Sequence, residues 1–159
     1  MIKSYDINIE RLSDDRTDTD KSIYRNKISS RQKYNWRILY KYSDILVSCD
    51  KDVILKLKKL IEEIYVILES HIRKNPSFEK SLSPLKSRPE YHPMIKKMYE
   101  KTALFNVGPM AAVAGAVCDF LASGLDNYCR CLVIENVVHV FINSDKDIDV
   151  SVYLTNVFF

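Results

Sequence analysis

The run Gly108-Pro109-Met110-Ala111-Ala112 sets a glycine and a proline directly before a long apolar stretch. Proline suits the first position of a helix, and the open amides of a first turn, with the positive end of the helix dipole, attract a phosphate or carboxylate. Met110, Ala111 and Ala112 would present N–H groups there, while Pro109 has none to give. A packed helix without ligand fits the same spacing. The second feature is Glu135-Asn136, a polar break between the apolar runs Cys131 to Ile134 and Val137 to Ile142. Strand ends beside a helix N-terminus are frequent ligand positions, and an ordinary turn would use the same two residue types.

Other chemistries lack their residues. His71, His92 and His139 have no partner at metal-ligand spacing, and no local nucleophile arrangement stands beside them. Four cysteines, Cys49, Cys118, Cys129 and Cys131, show no zinc-binding spacing, which leaves reduced, partly buried thiols as the reading. With only three glycines, Gly108, Gly115 and Gly124, a glycine-rich phosphate loop of the usual kind is excluded. The net charge of +3 is too even to point to nucleic acid. The polar stretch Met1 to Glu10 carries no secretory pattern, so the expected location is the cytoplasm.

These residues need elements to hold them. Residues 1–22, acidic around Asp14 to Asp20, read as a polar extension, and 23–159 as a single domain. Tyr34, Trp36, Ile38 and Tyr40 alternate with polar residues, and Ile45 to Val47 follow a Lys41-Tyr42-Ser43-Asp44 connection, which predicts a pair of strands. Asp50 stands where an N-cap would, ahead of Val53, Ile54, Leu57, Leu60, Ile61, Ile64, Leu68 and Ile72 on one helical face. Glu69 and Arg73 read as a charged pair four apart on that helix. The helix must stop before Pro76. Pro93 opens another helix with Met94, Ile95, Met98, Tyr99 and Thr102 inward. The segment from Pro109 to Gly124 is apolar almost all round and rich in small residues, which predicts a central helix ended by Gly124. Asn106, Pro109 and Asp119 interrupt it too often for a membrane span, so no membrane association is expected. Strands are predicted at 131–134, 137–142 and 148–154, with a turn at Asn143 to Asp147.

The run Val107 to Ala116 resembles the VGPMAAVAGA signature of the uncharacterised protein family numbered 0280, whose members are distantly similar to the flavin transferase ApbE. Phe78, Ser81, Leu82, Pro84 and Leu85 fit that family's F-x-x-S-L-x-P-L segment, Tyr24-Arg25 its early Y-R, and Ser43-Asp44-Ile45 falls where it carries T-D-L. The resemblance implies an α+β fold like the first half of an ApbE-like protein: a mixed sheet packed against a long amphipathic helix and a central Gly/Ala-rich helix. It also implies a flavin or other nucleotide ligand near Gly108, Met110, Ala111, Ala112, Gly115, Asp119, Glu135 and Asn136.

Gly115 and Asp119 fit the relatives' A-K-G-Y-A-V-D motif, but Ala114 stands where its lysine would be. Ile134-Glu135-Asn136 keeps the start of V-E-N-G-G-D, but Val137-Val138-His139 replaces the glycines and the aspartate. The A-D-A and A-T motifs that supply magnesium ligands in ApbE relatives have no counterpart in these residues. The expectation is therefore a C-terminally truncated, non-catalytic member that keeps an anion or flavin-phosphate subsite. The alternatives are a flavin or nucleotide enzyme completed by self-association or a second chain, and a small partner-binding protein using its apolar C-terminal strand. An unpaired final strand would favour homo-oligomers.

Overall fold

A computed structural model of the chain describes residues 7–11, 32–136 and 139–147. The strand predicted at 148–154, the Tyr24-Arg25 match and the Val137-Val138 pair lie outside the described residues. Five strands form one sheet in the order β1 (Asn8–Arg11), β2 (Tyr34–Tyr40), β3 (Ser43–Cys49), β4 (Cys131–Asn136) and β5 (His139–Ser144). The α+β class holds. Every pairing among the described strands is antiparallel, so no parallel component of the expected mixed sheet lies among them.

Alternation along the strands sorts the side chains into two faces. Ile38, Ile45, Asn136 and His139 lie in one cross-strand row, and Trp36, Val47, Ile134 and Phe141 in the next. Both rows face the helices, whose buried residues share one core with Trp36, Ile38, Ile45, Val47 and Ile134. The opposite face carries the rows Asn35, Ser48, Val133, Ile142 and Arg37, Leu46, Glu135, Val140. There Asn35 accepts from the Ser48 hydroxyl at 2.7 Å, and Arg37 forms a bidentate pair with Asp44 at 2.9 Å.

Helix α1 (Ile54–Lys74) buries Leu57, Ile61, Ile64 and Leu68, the predicted inward face. Each such side chain contributes about 1.5–3 kcal/mol of hydrophobic stabilisation. The helix ends at Lys74, ahead of Pro76 as proline requires, and Pro76 then leads into the short α2 (Ser77–Lys80). Asp50 is not its cap. The Asp52 carboxylate accepts from the Ile54 amide at 3.1 Å, while Asp50 accepts from the amides of Arg130 at 3.0 Å and Cys131 at 3.5 Å, tying the end of β3 to the start of β4. Glu69 bonds across to Lys41 at the β2–β3 turn. That turn is shorter than expected, with Lys41 and Tyr42 alone between the strands and Lys41 at φ 51°.

Helix α3 (Pro93–Ala103) starts at its proline and buries all five predicted residues. His92 caps it, its Nδ1 accepting from the Met94 amide at 3.2 Å. Part of the stretch read as an extension is β1, which pairs with β2 from Asn8 opposite Leu39 to Arg11 opposite Trp36. Ile9 packs against the core, an apolar contribution that the nearby acidic residues obscured in the sequence.

Candidate functional site

The signature run does not enter its helix directly. Pro109–Ala112 form a 3-10 turn, and α4 (Val113–Leu125) begins only after it. The Ala111 amide donates to the Gly108 carbonyl at 3.1 Å and the Val113 amide to the Met110 carbonyl, so Ala111 spends its donor within the turn. Ala111 itself is exposed, while Met110 and Ala112 are half-buried against the core. Gly124 does not end the helix; it lies within α4, where a Cβ would stand 2.6 Å from Leu60 Cδ1 of α1. Its small size admits the Leu60 side chain between the two helices.

Gly108 is buried in extended backbone at φ −70° and ψ 156°, a conformation open to any residue. Its requirement is space. A Cβ there would lie 1.7 Å from the Ser81 carbonyl oxygen and 3.2 Å from the Leu82 Cα. The segment after α2 is thus seated directly on the start of the signature run.

Asn136, buried at the end of β4, donates from Nδ2 to the Ala114 carbonyl at 3.2 Å and fixes the strand against the first turn of α4. His139 sits opposite Asn136 on β5, and its ring lies over Gly115, with Nδ1 at 3.3 Å from where a Cβ would stand. The Cys118 thiol approaches the His139 carbonyl at 3.9 Å. Burial pushes that thiol up to about 11, so it remains protonated at neutral pH.

Of the predicted site residues, Gly108, Met110, Ala111, Ala112, Gly115 and Asn136 gather around the turn and the first turn of α4. Glu135 and Asp119 do not join them. Glu135 is 2% exposed on the sheet face turned away from the helices, because neighbours in a strand alternate. Asp119 is exposed one turn further along α4, 4.0 Å from the Lys97 ammonium of α3.

His139 and the Ser81-Leu82 backbone are the participants that spacing arguments passed over. Strand register would have found His139, which pairs with Asn136 across β4 and β5. Among the described residues, no three His, Cys, Asp or Glu side chains come together to hold a metal ion. The arrangement offers an amide, an imidazole and backbone groups, all of them capable of hydrogen bonding.

A family model described as "AbpE bacteria" matches residues 25–157. A UPF0280 protein of Methanococcus vannielii is 34% identical over 126 residues, covering 77% of this chain and 51% of that protein. The chain belongs to the UPF0280 family. A UPF0280 protein of Methanocaldococcus jannaschii is 31% identical over 121 residues, covering 76% of this chain and 49% of that protein. One from Methanococcus maripaludis is 32% identical over 123 residues, covering the same two shares. The chain spans about half the length of the curated relatives it matches. The matched region 25–157 takes in the signature run, the seat of Gly108 on Ser81-Leu82 and the Asn136 anchor.

Proposed function

We propose that this UPF0280 chain is a non-catalytic, ApbE-like binding protein that takes the phosphate of a flavin nucleotide beside the 3-10 turn at Pro109–Ala112. The support is the packing of His139 over Gly115, with Asn136 tied to Ala114. Gly108 and Pro109 are buried, so Ala111, exposed on the turn, marks the side on which the phosphate would sit. The ApbE-type lysine is Ala114 here, and the imidazole stands where an aspartate would be. Binding can survive those changes through the backbone groups of the turn. Asp119 and Glu135 have no role in this reading, since neither lies at the turn. No helix among the described residues is long and apolar enough to cross a membrane, and a cytoplasmic location is part of the same proposal.

The test is titration of the purified chain with FMN and FAD under size-exclusion control, with inorganic phosphate as competitor. Saturable binding at micromolar flavin, displaced by phosphate and without covalent flavin transfer, is the expected result. Absence of binding at high micromolar flavin overturns the subsite.

A second reading is a flavin or nucleotide enzyme completed by another copy or another chain. It is favoured by Val140 and Ile142, 47% and 39% exposed on β5. Sedimentation showing a stable dimer with flavin-transfer activity would select it. A monomer with bound flavin and no turnover selects the first reading.

A further inference from the structure

His71, near the end of α1, is 8% exposed and sits where four segments meet. Its Nε2 is 3.0 Å from the Tyr99 hydroxyl of α3, and its Nδ1 is 3.4 Å from Asn75 Nδ2. Two further bonds orient the Asn75 amide: Nδ2 donates to the His71 carbonyl at 3.2 Å, and Oδ1 accepts from the Tyr91 hydroxyl at 3.2 Å. With an amide nitrogen facing it, Nδ1 must accept, so the neutral ring carries its proton on Nε2 and donates to Tyr99. Phe78 of α2 and Tyr91 stand edge-on to the imidazole, with centroids at 4.7 and 4.5 Å.

A second proton on Nδ1 would set donor against donor at Asn75 and place a charge among aromatic rings. Burial, and then the neighbouring Lys74 ammonium of α1, hold His71 below its ordinary value. The other titratable groups around it are Tyr99 of α3 and Tyr91 of the segment before α3, with Arg88 acting on Tyr99; α2 sets the Phe78 ring against it and carries Glu79 and Lys80 exposed.

We propose that His71 is a proton-sensitive staple whose protonation releases residues 76–92 from α1 and α3 while the sheet stays folded. Those residues include Ser81, on which Gly108 is seated, so the release reaches the start of the signature run. The inference is independent of the flavin reading, since it concerns the chain without ligand. The neutral ring holds the segment fully above the ordinary histidine value of about 6.5, and the hold is lost as pH falls from there toward the lowered folded value.

Amide hydrogen exchange of the full chain at pH 7.5, 6.5 and 5.5, corrected for intrinsic rates, tests this. Protection of 76–92 should fall by up to about tenfold on acidification from pH 7.5 to 5.5, the ceiling for one histidine of ordinary value about 6.5, while β2 to β4 keep theirs, as expected for a local opening. His71→Gln should abolish that dependence. Tyr91→Phe, which removes the hydroxyl that bonds Asn75 and Tyr99 but keeps the ring beside His71, should loosen the segment at pH 7.5 and remain acid-sensitive, so it decides the matter if His71→Gln fails to fold. Unchanged protection of 76–92 through the range, loss in step with the sheet, or the same acid response in His71→Gln overturns the proposal.

Discussion

Gly108, Gly115 and Gly124 each lack a side chain for a different neighbour, and alanine substitution separates them. At Gly108 a methyl group meets backbone, the Ser81 carbonyl at 1.7 Å, and backbone on both sides must move. Gly108→Ala should cost about 3 kcal/mol or more, at or beyond the upper end for overpacking. At Gly124 the obstacle is the Leu60 side chain at 2.6 Å, which can turn aside; the strain is partly offset by the gain of up to about 1 kcal/mol for alanine over glycine in a helix. At Gly115 the His139 ring at 3.3 Å is exposed and gives way, so Gly115→Ala should be neutral or mildly stabilising. Urea midpoints for the three variants check the order, and a Gly108→Ala variant as stable as Gly115→Ala would contradict it. The sequence marked Gly108 as special for entry into a helix. Its actual reason, contact with a carbonyl 27 positions earlier, leaves no trace in local spacing.

At the scale of elements, Asp50 shows how a correct residue type can be assigned to the wrong end. An aspartate just before a helical pattern reads as a cap, yet Asp52 meets the first turn of α1 and Asp50 reaches the amides of Arg130 and Cys131. Asp50→Ala should therefore loosen the junction of β3 and β4 at a cost of about 1.5–3 kcal/mol, the range for a bond to a charged acceptor. Asp50→Asn, which keeps an acceptor oxygen, should cost less. Hydrogen exchange at Arg130 and Cys131 would report the change, whereas faster exchange confined to the first turn of α1 would restore the capping role. Where a pattern was dense and local, the elements matched it: α1 and α3 carry their predicted inward faces. The β2–β3 turn was misjudged because Lys41 takes a left-handed φ of 51° without the glycine or asparagine that usually signals such a turn.

For the whole molecule, the three buried thiols of Cys49, Cys118 and Cys129 provide a measure of global stability. Burial raises Cys49 to about 12, Cys118 to about 11, and Cys129 also upward. In the unfolded chain a thiol ionises near 9.0, the unperturbed value. Between that pH and the folded value the unfolded state binds fewer protons, so stability is complete below pH 9 and falls as pH rises. Each unit of separation corresponds to about 1.4 kcal/mol per thiol. Urea unfolding at pH 8, 9, 10 and 11 should show this decline, and Cys118→Ala should have a shallower slope than the parent chain. Identical slopes would mean that Cys118 ionises alike in both states.

Periodicity determined the inward faces of α1 and α3, because each follows from neighbours within a few positions, while the α+β class and the signature run were legible through the family resemblance. Tertiary structure alone decided which residues meet. Asn136 and Glu135 are adjacent in the chain and lie on opposite faces of the sheet; His139 reaches Gly115 through strand register; and Ser81 fills the space that Gly108 leaves. Spacing can set the period of a side chain, but which face is packed, and against what, depends on contacts made across the sequence.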